Sequence, residues 1–152
     1  MSIFINILIT IMTFFSMEGV AWFTHKYLMH GPLWMLHHDH HRREDGQVLE
    51  RNDFFFVLFA TPAILLLLLG LQGGWSDYRI WVSAGITLYG VAYFLVHDVF
   101  IHQRFKFLRN ARHPYFKAIR RAHKTHHKQL GKEGGSCFGM LLVPYRFLKE
   151  VK

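Results

Sequence analysis

Twelve histidines occur in 152 residues, and ten of them fall into two spacing patterns that appear twice in the same order. His25 and His30 form an H-x4-H pair, and His37, His40 and His41 form an H-x2-H-H trio. His97 and His102 repeat the pair downstream, and His123, His126 and His127 repeat the trio; His38 and His113 stand outside the pattern. Imidazole is a ligand for zinc, copper, iron and nickel, so a repeated order of spacings points to metal binding rather than to scattered interface histidines. On an α-helix, positions i, i+3 and i+4 share a face, and each trio therefore aims three imidazoles in one direction, enough to chelate one metal or bridge two neighbouring ones. The pair is different. Positions i and i+5 of a regular helix diverge by roughly 140° and lie about 7.5 Å apart along the axis. Such a pair chelates one ion only where the helix distorts or ends near its second member; otherwise the two serve different metals. Gly31-Pro32 would end a helix just after His30, but nothing comparable follows His102.

Ten imidazoles are too many for a single ion. Five on each of two first-row metals leave about one coordination position open per metal, which dioxygen chemistry requires, although the ligand type does not by itself select iron. Two carboxylates are candidates for orienting the ligands. Asp98 adjoins His97 and could hold its imidazole, or could pair with a nearby arginine. Glu18 lies seven residues before His25, nearly on the same helical face, where it could accept a hydrogen bond from a ligand or a buried water. Asp39 and Asp53 read as caps or surface acids. The single cysteine, Cys137, excludes an internal disulfide and a cysteine-ligated iron–sulfur cluster, and reads as a space-filling residue.

The elements that must carry these residues are apolar blocks separated by charged segments. Membrane spans are expected at 3–23, 54–71 and 80–96, each of a length suited to a hydrocarbon core of about 30 Å. Trp75, Tyr78 and Trp81 mark one interface, and Trp22, Tyr27 and Trp34 the other. The N-terminus lacks the basic region and cleavage site of a signal peptide and reads as retained. Formal charge is +8, and it is unevenly spread: residues 97–152 hold 13 Lys/Arg against 3 Asp/Glu, and residues 1–96 hold 5 against 7. The 71–79 turn holds only Arg79, so the histidine-bearing side is expected in the cytoplasm. A basic half beside apolar blocks suits a membrane surface or an acidic partner rather than nucleic acid. The expected fold is an all-α membrane protein forming one domain over 1–152. About three transmembrane helices, with room for a fourth, re-entrant segment, carry a histidine-rich cytoplasmic cap over 97–152. Within that cap, 103–133 reads as an amphipathic helix with Phe105, Phe107, Leu108, Tyr115, Phe116 and Ile119 on its apolar side. The 138–148 segment reads as interfacial or packed on the bundle.

At MEGVAWFTHKYLMHG, LHHDHH, ERNDFFFVLFA, GITLYGVAYFLVHDVFIHQRF, AIRRAHKTHHK and FGMLLVP the chain resembles the membrane-bound fatty acid hydroxylase superfamily. Within it, the flanking words and short length resemble the bacterial β-carotene 3-hydroxylase family. The resemblance implies two non-haem iron ions held by His25, His30, His37, His40, His41, His97, His102, His123, His126 and His127, with O2 as oxidant. It implies hydroxylation at C3 of each β-ionone ring, from β-carotene through β-cryptoxanthin to zeaxanthin, on an apolar carotenoid taken from the lipid bilayer of the bacterial inner membrane. The chain has no nucleotide-binding glycine loop and no haem-attachment motif, so a ferredoxin with its reductase is the simplest electron donor for the basic face. Rival readings are a desaturase or another lipid hydroxylase with the same metal site, and a non-enzymatic metal- or haem-binding membrane protein.

Overall fold

Each apolar run forms a helix, and each helix outlasts the boundary that hydropathy alone sets. In the computed structural model of the chain, which describes residues 2–42, 49–105, 110–131, 133, 135 and 137–151, helix α1 covers Ile3–Phe23 and continues as a π-helical segment, Thr24–Met29. Helix α2 covers Trp34–His41. A 3-10 turn at Arg51–Asp53 leads into α3, Phe54–Gly73. Helix α4, Tyr78–Tyr93, runs into a second π-helical segment, Phe94–Ile101. Helices α5 (Pro114–His127) and α6 (Tyr145–Lys149) complete the order, and no strand occurs among the described residues. Three stretches are long and apolar enough to cross a membrane: Ile3–Met29, Arg51–Gly73 and Tyr78–Ile101. The length added to the first and third is the π-helical turn that carries a histidine pair.

The chain divides into two compact units, Met1–Met17 with Asp53–Ala92, and Glu18–Asn52 with Tyr93–Lys152. In the first, large apolar side chains such as Phe4, Phe15, Phe56 and Leu68 point outward, the arrangement of a helix bundle whose solvent is lipid. Polar side chains turn inward and bond between helices: Ser83 Oγ donates to the Ala63 carbonyl at 2.7 Å, and Thr10 Oγ1 reaches the Trp81 carbonyl at 3.1 Å. Gly85 lets α4 approach α1 closely, since a Cβ there would lie 2.7 Å from the Thr10 carbonyl oxygen. Pro62 sits inside α3 without a donor, and the neighbouring Thr61 hydroxyl donates to the Val57 carbonyl at 2.8 Å. Gly74, at φ 75°, closes α3 in the left-handed region that a side chain would resist.

In the second unit α5 is amphipathic. Ala118, Ile119, Ala122, His123 and His126 are buried on one face, and Lys117, Arg121 and Lys124 are exposed. Ala118 and Ala122 pack with Cys137 and Phe147. The helix is shorter than the 103–133 expected from composition. Pro114 starts it, because its fixed φ and missing N–H suit the first helical position, and the His113 ring accepts the Tyr115 N–H at 3.3 Å. Of the residues assigned to its apolar side, Ile119 is buried, Tyr115 and Phe116 are half-buried and Phe105 is exposed. Phe107 and Leu108 lie outside the described residues.

Candidate metal centre

The H-x4-H pairs are positioned by the two π-helical segments. A π-helix bonds each N–H to the carbonyl five residues earlier. The His30 N–H donates to the His25 carbonyl at 3.1 Å, and the His102 N–H to the His97 carbonyl at 2.9 Å. The wider turn brings i and i+5 onto one face, which a regular helix would not. Both pairs are thereby held together, with ring centroids 5.2 Å apart for His25 and His30 and 4.5 Å for His97 and His102.

Nine of the patterned histidines fall into two groups whose ligating nitrogens lie within 4.8 Å of one another: His25, His30, His37, His41 and His126, and then His40, His97, His102 and His123. His127 adjoins the second group, its Nε2 2.8 Å from His123 Nε2. The trios do not stay whole. The outer members of the first, His37 and His41, join the pair of their own half, while His40 crosses to the other group. In the second trio His123 and His127 stay and His126 crosses. The groups touch: His37 stacks on His40 with centroids 5.2 Å apart, and His41 on His127 at 4.4 Å. The site thus lies entirely within the second unit.

Hydrogen bonds at the far nitrogens decide where the lone pairs point. Carbonyl and carboxylate oxygens only accept, so the Nδ1 that faces each of them must carry the hydrogen. His25 Nδ1 donates to the Phe138 carbonyl (2.9 Å), His30 Nδ1 to the Leu130 carbonyl (3.1 Å), His37 Nδ1 to Asn52 Oδ1 (2.7 Å), His40 Nδ1 to Glu50 Oε2 (2.9 Å) and His97 Nδ1 to Asp98 Oδ2 (3.2 Å). Their Nε2 atoms are left as inward acceptors, and those of His25 and His37 are turned on one another. His25 Nε2 is 3.1 Å from His37 Nε2, and His30 Nε2 is 3.2 Å from His126 Nε2. Buried ring nitrogens of His40, His41, His97, His123 and His126 lack any hydrogen-bond partner.

Burial, with the neighbouring imidazoles adding to it, keeps the rings neutral. It pushes His37 and His127 down to about 3, His41 to about 4 and His126 to about 2, and it holds His40 and His123 well below their usual value. The opposed lone pairs of His25 and His37 have no proton to share, which a cation between them would explain. Two nitrogens each about 2.1 Å from one ion at a right angle are about 3 Å apart, which matches the 2.8 to 3.2 Å separations here. The residues therefore fit a pair of metal ions.

Of the two candidate acids, Asp98 contacts His97 directly and also receives Arg104 Nε at 3.2 Å. Glu18 is used otherwise: its Oε1 accepts the backbone N–H groups of Met140, Leu141 and Leu142, each at 2.9 Å. It therefore pins the segment whose Phe138 carbonyl holds His25. The Phe138 ring packs edge-on against His25, His30 and His126, with centroids 5.5, 5.4 and 5.0 Å away. His38 packs against Trp34, and His113 caps α5. Cys137 is buried among apolar side chains. Sequence reasoning passed over Glu50, Asn52, Arg104 and the carbonyls of Leu130 and Phe138, since orienting groups have no spacing rule; the ERND word before α3 was the one local hint for the first two.

The pattern of the fatty acid hydroxylase family matches residues 10–144. The chain is 44% identical to the β-carotene hydroxylase of Pseudescherichia vulneris over 90% of its own length and 76% of that protein's. It is likewise 44% identical to the β-carotene hydroxylase of Pantoea ananas, over 91% and 78%. A Paracoccus β-carotene hydroxylase is 38% identical over 90% and 83%. No solved structure matches the chain. With its histidine words gathered into two neutral, inward-facing groups and a family match over most of its length, the chain belongs to the fatty acid hydroxylase family.

Proposed function

We propose that the protein is a membrane hydroxylase that uses O2 to place hydroxyl groups at C3 of both β-ionone rings of β-carotene, forming β-cryptoxanthin and then zeaxanthin. The observation that carries the reading is the convergence of the ten patterned histidines, from elements far apart in sequence, into two adjacent groups. The names of its bacterial relatives supply the substrate. All ten histidines would hold two iron ions, which when bound supply the O2 activation needed to attack an unactivated ring carbon. The chain's own part is to bind and orient. Asn52, Glu50, Asp98 and the Leu130 and Phe138 carbonyls fix the ring orientations, and burial of the imidazoles keeps water away.

Two electrons per hydroxylation come from outside. A ferredoxin with its reductase, acidic where this chain is basic, is the donor on this reading. The protein acts as one multi-pass domain of the bacterial inner membrane, with the histidine groups on the cytoplasmic side. Expression in β-carotene-producing bacteria, followed by pigment chromatography, tests the activity. Zeaxanthin and cryptoxanthin are expected. Their absence from cells that insert the protein and supply iron would remove the carotenoid reading, and a desaturated product would assign the site to the rival chemistry.

A further inference from the structure

The two histidine groups are oriented by different chemistry. In the first group, the Nδ1–H groups of His25, His30 and His37 donate to uncharged oxygens of Phe138, Leu130 and Asn52. In the second, His40 donates to the Glu50 carboxylate at 2.9 Å and His97 to the Asp98 carboxylate at 3.2 Å. One guanidinium ties these carboxylates together: Arg104 Nη2 lies 3.5 Å from Glu50 Oε2 and Nε 3.2 Å from Asp98 Oδ1. The Arg104 N–H also donates to the Asp98 carbonyl at 2.9 Å, which fixes the base of that side chain. The arrangement is shielded from water, the Glu50 side chain being 2% and Asp98 15% exposed. Glu18, the acid that bears on the first group through the Phe138 segment, accepts three backbone N–H groups at its Oε1.

A carboxylate that accepts from Nδ1–H raises the basicity of the ring and strengthens Nε2 as a ligand, and a neutral oxygen does so less. The effect grows where water does not screen the charge. We infer that the two metal positions are inequivalent, with Glu50 and Asp98, locked by Arg104, making the second position the tighter-binding one and the one of lower reduction potential. The inference rests on the reading of the ten histidines as a two-iron site. Its sign follows from the acceptors, because a carboxylate on Nδ1–H makes the imidazole the stronger donor and so favours Fe(III) over Fe(II). His25, His30, His37, His41 and His126 would then hold the metal of higher reduction potential. Glu50, Asp98 and Arg104 are positioning residues that act through His40 and His97.

The test uses the full chain in lipid nanodiscs loaded with Fe(II), comparing wild type with Glu50→Gln, Asp98→Asn and Asn52→Asp. Iron retained against a competing chelator and the reduction potentials are both read. Wild type should retain two irons per chain with two distinct potentials. Each carboxylate-to-amide change keeps an acceptor for Nδ1–H but removes the charge. Each should weaken retention of one iron by about 10–100-fold and raise only the lower potential. Asn52→Asp gives His37 a carboxylate and should lower only the higher potential, narrowing the gap; it stands as a test even if Glu50→Gln does not insert. Equal shifts of both irons, no shift in either carboxylate variant, or an unmoved upper potential in Asn52→Asp would overturn the inference. A wild type that binds fewer than two irons would overturn the two-iron reading instead, and the inference with it.

Discussion

Neutral imidazole at physiological pH is the property on which this site depends, and burial imposes it. The sign of the resulting pH dependence follows from His37, His41 and His127. Each titrates near 6.5 when unfolded and, through burial, near 3, 4 and 3 in the folded chain. The unfolded chain therefore binds more protons below about 6.5, and stability falls as pH drops from there toward 3. Metal should leave over the same range, because protons compete for the lone pairs. Iron retained after equilibration between pH 7.5 and 4.5 checks this, and retention unchanged at pH 4.5 would contradict it. Single side chains are also separable. His126→Ala removes a ligand from the first group and should abolish turnover while leaving the protein in the membrane. His38→Ala, outside both groups, should keep most of the activity. Glu18→Leu strands three buried or half-buried backbone N–H groups, a loss of about 1–3 kcal/mol for each one left unpaired. A lower unfolding midpoint in detergent is the expected readout.

At the scale of elements, the π-helical segments and the crossing trios do different jobs. The π turns convert an unsuitable i, i+5 spacing into a chelating pair. The trios keep regular α geometry and, since i+3 and i+4 differ by one residue's rotation, send their members to two positions instead of one. Helix α5 can present His123, His126 and His127 because Ala118 and Ala122 seat its other contacts in a small-residue face. In the first unit, Gly85 has the comparable task of close approach. Gly85→Leu would drive a side chain into Thr10 and Thr13, and overpacking of this kind costs about 1–3 kcal/mol. Less folded protein recovered in mild detergent, with iron per folded chain unchanged, is the expected result. A loss of iron per folded chain would mean that the effect reaches the second unit.

For the whole molecule, the exchange of His40 and His126 between groups has a mechanical consequence. Metal held at both positions would cross-link α2, α5 and both π-helical segments, which lie up to 102 positions apart between His25 and His127. Metal binding is then also folding free energy for the second unit. Chelation should speed hydrogen exchange in α2 and α5 and leave α3 and the start of α4 unchanged, as followed by mass spectrometry. Uniform acceleration along the chain would argue against this division into units.

The sequence by itself pointed to metal chemistry and to a lipid solvent. Ten histidines in a doubled order could be read as candidate metal ligands because each trio shares a helical face, and three apolar runs could be read as spans because backbone in lipid must bond internally. Spacing also exposed a problem it could not solve, since an i, i+5 pair fits no regular helix. Only the tertiary structure resolved it, with a π turn at each pair, and no residue near His102 announces that turn. Only tertiary structure divided the histidines between two positions, because His40 and His126 meet their groups by contact between elements distant in sequence. The same holds for the orienting groups. Glu50 and Asn52 are ordinary polar residues until folding brings them to a ring nitrogen, as Arg104 is until it meets the Glu50 and Asp98 carboxylates, and Glu18 meets backbone N–H groups more than 120 residues away. Local spacing encodes which side chains can bind, and long-range packing decides which of them bind together.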